Sequence, residues 1–169
     1  MQPTETNINN TSTPKRVAQN IMSTYTQILY HIVFSTKNRK RVLTVDNRNR
    51  LLKYIWGIIK NQKSHLYRVN AVDDHIHILT HIHPTICLSD FVKTIKTNST
   101  KWIKEEHIFP SFTNWQDGYD AFTCSINEKD KIIEYIKFQE EHHKKVSFMD
   151  EFKQLLENAG IEYDEKYLK

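Results

Sequence analysis

The sequence predicts an α+β fold: a four-stranded antiparallel sheet with two crossover helices in the split β-α-β manner, followed by a helix that carries a tyrosine. Three observations predict it. Runs of strand and helix character follow one another as strand, helix, two strands, helix, strand, helix. The two central strands are joined so tightly that they read as an antiparallel hairpin. The chain has 169 residues, 38% of them hydrophobic and 11% aromatic, with only 3 Gly and 4 Pro, which suits one globular domain with a real core.

Residues 1–24, rich in Asn, Thr, Ser and Gln, read as a disordered leader, and Met22-Ser23-Thr24-Tyr25 serves equally well as a translation start. The domain is expected over 25–145. Tyr25 to Ser35 is β-branched and aromatic, as a buried strand is. After the basic loop Thr36 to Arg41, Asp46 can cap a helix to about Ser64, with Leu51, Leu52, Ile55, Trp56, Ile58 and Ile59 at helical spacing. A second strand, about Tyr67 to Val72, leads through Asp73-Asp74 into a third, which Pro84 ends. Ser89 can cap the next helix, whose buried stripe is Phe91, Val92, Ile95, Trp102 and Ile103. Tyr119 to Ile126 reads as the fourth strand. Asn127 can cap a last long helix from about Glu128 to Lys144, with His142 and His143 as cations suited to its C-terminal dipole. Residues 146–169 are expected to form a short amphipathic helix ended by Gly160, then a tail.

Cys87 and Cys124 have neither metal-ligand spacing nor a secretory context and read as free thiols. No apolar run approaches the roughly 18 residues of a membrane span, and no signal-peptide core is present. A cytoplasmic protein is expected. The net charge of +4 fits an anionic partner.

On a strand, His75 and His77 stand side by side on one face while Ile76 and Ile78 point to the other. Such a pair can hold one divalent cation, or be two ordinary strand histidines. Tyr135 and Gln139, four residues apart, are neighbours on one helix face that can look across the sheet to the histidines. Gln139 would then add an amide oxygen to the metal, with Tyr135 as a phenol nucleophile beside it. Periodicity alone reads Tyr135 as a core aromatic between Ile132 and Ile136. His81 and His83 share the nominal face of His75 and His77, so a four-histidine zinc site is a rival. Asp74 is placed to hydrogen-bond a ligand imidazole.

The runs Tyr30 to Lys37, Asp74 to His77, Trp115 to Tyr119 and Tyr135 to His143 resemble the single-tyrosine HUH transposases, the TnpA type of insertion-sequence enzymes and the REP-associated tyrosine transposases. The resemblance runs from about residue 23 to the C-terminus. It implies a ferredoxin-like domain, with His75, His77 and Gln139 holding Mg²⁺ or Mn²⁺ and Tyr135 as nucleophile. It further implies cleavage and rejoining of single-stranded DNA through a 5′-phosphotyrosine, a hairpin substrate and a homodimer. Beside such a site, Lys37, Arg39, Lys40, Arg41, Lys93, Lys96 and Lys101 become phosphate contacts, and Trp115 or Phe112 a platform for an unpaired base. The alternative is a catalytically silent single-stranded nucleic-acid-binding protein on the same fold.

Overall fold

The computed structural model describes residues 25–143 and 147–164. The leader, the tail beyond residue 164 and the side chains of His142 and His143 lie outside the described residues. Four strands, β1 (Leu29–Ser35), β2 (His65–Ala71), β3 (His75–His81) and β4 (Asp120–Cys124), form one antiparallel sheet in the order β2-β3-β1-β4. With α1 (Val45–Asn61) between β1 and β2 and α2 (Leu88–Glu105) between β3 and β4, this is the expected ferredoxin-like split β-α-β topology. No helix among the described residues is long and apolar enough to cross a membrane.

The alternation of β1 and β3 divides the protein into two layers. Ile32, Phe34, Ile76 and Ile78 pack with Leu51, Ile55, Phe91 and Ile95 of the crossover helices in the main core. The other face carries Leu29 and Leu79, against which Ile136 of α3 (Lys129–Lys137) packs in a smaller cluster. His75 and His77 share this second face, because side chains alternate along a strand. The helix left over from the split β-α-β unit therefore covers the histidine side.

Several boundaries differ from expectation, each for a local reason. Thr44 rather than Asp46 precedes α1, and Asp46 sits in its first turn, where a carboxylate suits the dipole. Cys87 rather than Ser89 precedes α2. β2 starts at His65 because a bulge between Leu66 and Arg68 lets the strand extend past the irregularity. At the last helix, Ser125 and Glu128 form a capping box, so a 3-10 turn (Ile126–Glu128) precedes α3 and Asn127 is not the cap. The single helix expected to run to Lys144 is broken at Phe138 (φ −98, ψ 21), and α4 (Gln139–His143) follows. The break is held from the sheet: the Asn70 amide donates to the Ile136 carbonyl at 2.8 Å and to that of Lys137 at 3.5 Å.

Arg48, buried at the start of α1, gathers distant parts of the chain. Its guanidinium donates to the Leu43 carbonyl at 2.7 Å and pairs with Asp73, in the turn before His75, and with Glu140, next to Gln139. Asp73 and Glu140 are about half-exposed and can be rehydrated, so the main loss on substitution is the charged hydrogen bond to a buried carbonyl. Arg48→Met is expected to cost about 2–3 kcal/mol, seen as a fall of roughly 5–10 °C in a thermal melt.

Candidate active site

The turn into β3 is fixed before the histidines are reached. The Thr36 and Leu43 amides donate to the carbonyls of Asp74 and Asp73 at 2.8 and 2.9 Å. His75 and His77 are each 1% exposed. The Nδ1–H of His75 donates to Asp74 Oδ1 at 2.6 Å, and His77 Nδ1 lies 2.9 Å from His31 Nε2. With Nδ1 engaged on both rings, each imidazole is oriented to present Nε2, the arrangement that outer hydrogen bonds impose on metal-binding histidines. Burial lowers the His75 pKa against the pull of Asp74, and burial lowers that of His31 to about 4. Both shifts favour the neutral ring, the form that can donate a lone pair.

A further helix, α5 (Phe148–Asn158), closes the site from above. Ser147 caps it, accepting from the Asp150 amide at 3.2 Å. Its Phe148 ring meets His75 edge-on at 4.5 Å. Its Glu151, 2% exposed, brings a carboxylate oxygen into a group whose ligand atoms, with those of His75 and His77, lie within 4.8 Å of one another. Burial raises the Glu151 pKa to about 7, with Arg39 opposing. Gln139 is 1% exposed and its Nε2 donates to Glu151 Oε1 at 2.9 Å, while its Oε1 is buried with no hydrogen-bond partner among the described residues. The Tyr135 ring stands edge-on to His77 at 5.9 Å and to His31 at 6.1 Å. The chain thus brings His75, His77, Tyr135 and Gln139 to one buried spot within a single subunit.

The residues fit a divalent cation. Octahedral ligands at about 2.1 Å from an ion stand roughly 3 Å apart when adjacent and roughly 4 Å when opposite, so small shifts close the spacing. Two imidazoles, a carboxylate and an amide oxygen lacking a donor make a suitable ligand set. The four-histidine zinc site is not formed. His81 Nδ1 is 3.2 Å from the Ile28 carbonyl and His83 Nδ1 is 2.8 Å from Thr85 Oγ1, at the far end of β3, and neither joins the described cluster.

The proposed DNA contacts separate. Lys40 and Arg41 are exposed, in the loop that Thr36 Oγ1 ties to the Asp74 carbonyl. Lys93 and Lys101 are exposed too, but on α2, across the sheet from His75 and His77. Lys37 pairs with Asp117 at 2.8 Å and Lys96 donates to the Gln116 and Gly118 carbonyls at 2.6 and 2.7 Å, so both fasten the loop before β4. Arg39 turns inward, its guanidinium carbon 3.3 Å from the centre of the Phe148 ring. Trp115 does not offer a stacking face. It is 4% exposed, packs edge-on against Phe34 and Phe112, and donates its indole N–H to Ser99 Oγ at 2.9 Å. Phe112 is buried with it.

Sequence reasoning missed Glu151, His31, Arg48 and Asp120. A charge at Glu151 on the stripe of Phe148, Phe152 and Leu155 was the available signal, as was His31 inside an apolar strand. Asp120 lies on the histidine face, and burial raises its pKa to about 6 against the pull of Arg39. The unfolded chain releases this proton near 3.8. The folded state therefore loses stability as pH rises from about 4 through 6. Asp120→Asn should match wild type below pH 4 and exceed it by a growing margin up to pH 7, at most about 3 kcal/mol less the solvent screening of a partly exposed group; urea melts at several pH values check this.

The profile of the family described as "Transposase IS200 like" matches residues 24–139. The chain belongs to this family. Among relatives of this IS200-like transposase, the transposase for insertion sequence element IS200 from Salmonella typhimurium is 28% identical over 120 residues, 68% of this chain and 78% of the relative. The ISDra2 transposase TnpA of Deinococcus radiodurans is 25% identical over 120 residues, 67% and 84% of the two chains. A 1.90 Å crystal structure of a proposed transposase from Deinococcus radiodurans superposes with a TM-score of 0.54 at 26% identity, covering 68% of this chain and 93% of that one. A REP-associated tyrosine transposase bound to a REP hairpin superposes with a TM-score of 0.56, covering 74% of this chain and 76% of that one, at 16% identity, a likeness that bears on the fold alone.

Proposed function

We propose that this transposase is a cytoplasmic enzyme that cleaves and rejoins single-stranded DNA, at hairpin-bearing ends, through a covalent bond to Tyr135. The observation that carries the reading is the Tyr135 ring set edge-on 5.9 Å from His77. His75, His77 and Gln139 would hold Mg²⁺ or Mn²⁺, with Glu151 on the same site. The bound ion supplies Lewis-acid polarisation of a phosphate oxygen. The Tyr135 oxygen forms a bond to phosphorus as its phenolic proton leaves, and the P–O3′ bond breaks. The 3′ oxygen departs as a hydroxyl once protonated, and the 5′ end stays on the tyrosine. Since the phosphodiester becomes another phosphodiester, the step is reversible by any 3′-hydroxyl placed in line. His31 and Asp74 hold the two imidazoles at fixed angles, and the exposed Lys40 and Arg41 would steer the strand.

Incubating the protein with labelled hairpin DNA and Mn²⁺, then mapping the adduct by peptide mass, tests this reading. An adduct on the Tyr135 peptide supports it. DNA binding with no adduct under any divalent cation would leave the silent binding protein instead.

The intrachain approach of Tyr135 to His77 supports catalysis within one subunit, including within the homodimer that the resemblance implies. Mixing Tyr135→Phe with His75→Ala protein, or co-expressing them, should then restore no cleavage. Recovery of cleavage would mean that the tyrosine helix crosses between subunits.

A further inference from the structure

Beside the metal-binding residues lies a pocket of about 360 Å³, between β1, the loop before β4 and α5, within the size class of small-molecule sites. Of its polar lining, which includes Ser35, Gln116, Tyr119, Tyr163 and an exposed Asp117 paired with Lys37, the two charged groups not taken up in an ion pair among the described residues are Arg39 and Asp120. They share the pocket without an ion pair between them, Asp120 makes no hydrogen bond to a described residue, and Arg39 Nη2 is buried with no acceptor. A buried donor left without a partner is costly. The backbone is also forced to put Arg39 there: Asn38 and Arg39 are both left-handed, at φ 56 and 53, a conformation that costs non-glycine residues about 1 kcal/mol or more each. The turn is pinned by Gln116, whose Oε1 accepts from the Asn38 amide at 2.9 Å, and by the Lys37 amide donating to the Asn114 carbonyl at 2.8 Å. The loop that does this runs from Asn114 to Tyr119, and the cleavage chemistry has no use for it.

The pocket walls are flat and aromatic. Phe148 and Phe152 stack with their planes 16° apart, and Phe148 lies under the Arg39 guanidinium. Tyr119 also lines the pocket. Asp120 pairs in register with Val33, and Val33 with His77, so Asp120 and His77 share a face two strand spacings apart, roughly 10 Å. That is about the reach from a nucleotide's phosphate to its base.

We infer that this pocket takes an unpaired guanine from the nucleotide next to the scissile phosphate. Guanine alone among the four bases offers an N–H pair for a carboxylate together with O6 and N7 for a guanidinium. Adenine lacks the ring N–H, and thymine and cytosine lack the second edge. The inference rests on the proposed single-stranded DNA substrate.

The test is fluorescence anisotropy with dye-labelled thymine oligonucleotides, each carrying one guanine, adenine or cytosine at a stepped position, in EDTA so that no cleavage occurs. Guanine at one position should tighten binding about tenfold or more over the all-thymine strand. Asp120→Asn, and independently Arg39→Lys, which keeps the charge but loses the planar fork, should erase that preference while binding all-thymine DNA as wild type does. No position with more than a twofold guanine preference, an equal preference for adenine or cytosine, or a preference surviving both substitutions overturns the inference. The two readings fail separately. A Tyr135 adduct without guanine preference removes the pocket only, and guanine preference without an adduct removes the cleavage reaction only.

Discussion

Tyr135→Phe should leave no covalent DNA adduct on a denaturing gel while binding hairpin DNA within about twofold of wild type. The substitution removes one oxygen, and the ring that packs against His31 and His77 stays in place. Cleavage should fall by at least about a thousandfold, as when a nucleophile is deleted from a concerted site. An adduct that persists in the variant would show that another side chain attacks phosphorus. Because the edge-on contacts are kept, the melting temperature is the internal control, and it should not move by more than a degree or two.

His75→Ala and His77→Ala should each weaken Mn²⁺ binding, read by calorimetry without DNA, by more than about a hundredfold. That exceeds the effect of losing a group that merely orients a ligand. Each should abolish cleavage, and the double variant should be little worse than either single one, because ligands of one ion act as a unit. Glu151→Gln separates the roles at the site. If the carboxylate is a ligand, Mn²⁺ affinity falls while the Gln139 contact survives as an amide pair. Unchanged Mn²⁺ affinity in His75→Ala would exclude the histidine pair as the metal site.

Much of this was legible in the chain because alternation and helical spacing are dictated by burial. The apolar run of β1 and the His-Ile-His step of β3 have only one way to present their faces to a core, which put His75 and His77 together. The tyrosine helix was legible too, since Ile132 and Ile136 mark its inner stripe. What stayed hidden depends on contacts distant in sequence. Nothing near Phe138 breaks a helix; the interruption comes from Asn70, more than sixty residues earlier. Glu151 reads as a solvated helix charge until α5 is laid over the histidines. Trp115 stands beside basic residues in sequence, yet Phe34, Phe112 and Ser99 close around it, and a bulky aromatic gains more from burial than from waiting for a base.

Asn70 is the ladder partner of His77, and the carbonyl its side-chain amide holds belongs to Ile136, the residue after Tyr135. The interval between Tyr135, the proposed nucleophile, and His77, a proposed metal ligand, is therefore gauged by one rung of the sheet and one side-chain hydrogen bond. Breathing of the surface can then leave the setting of Tyr135 against His77 unchanged, and the amides of residues 135 to 137 should exchange with deuterium at the slow pace of the sheet, well behind those of α5.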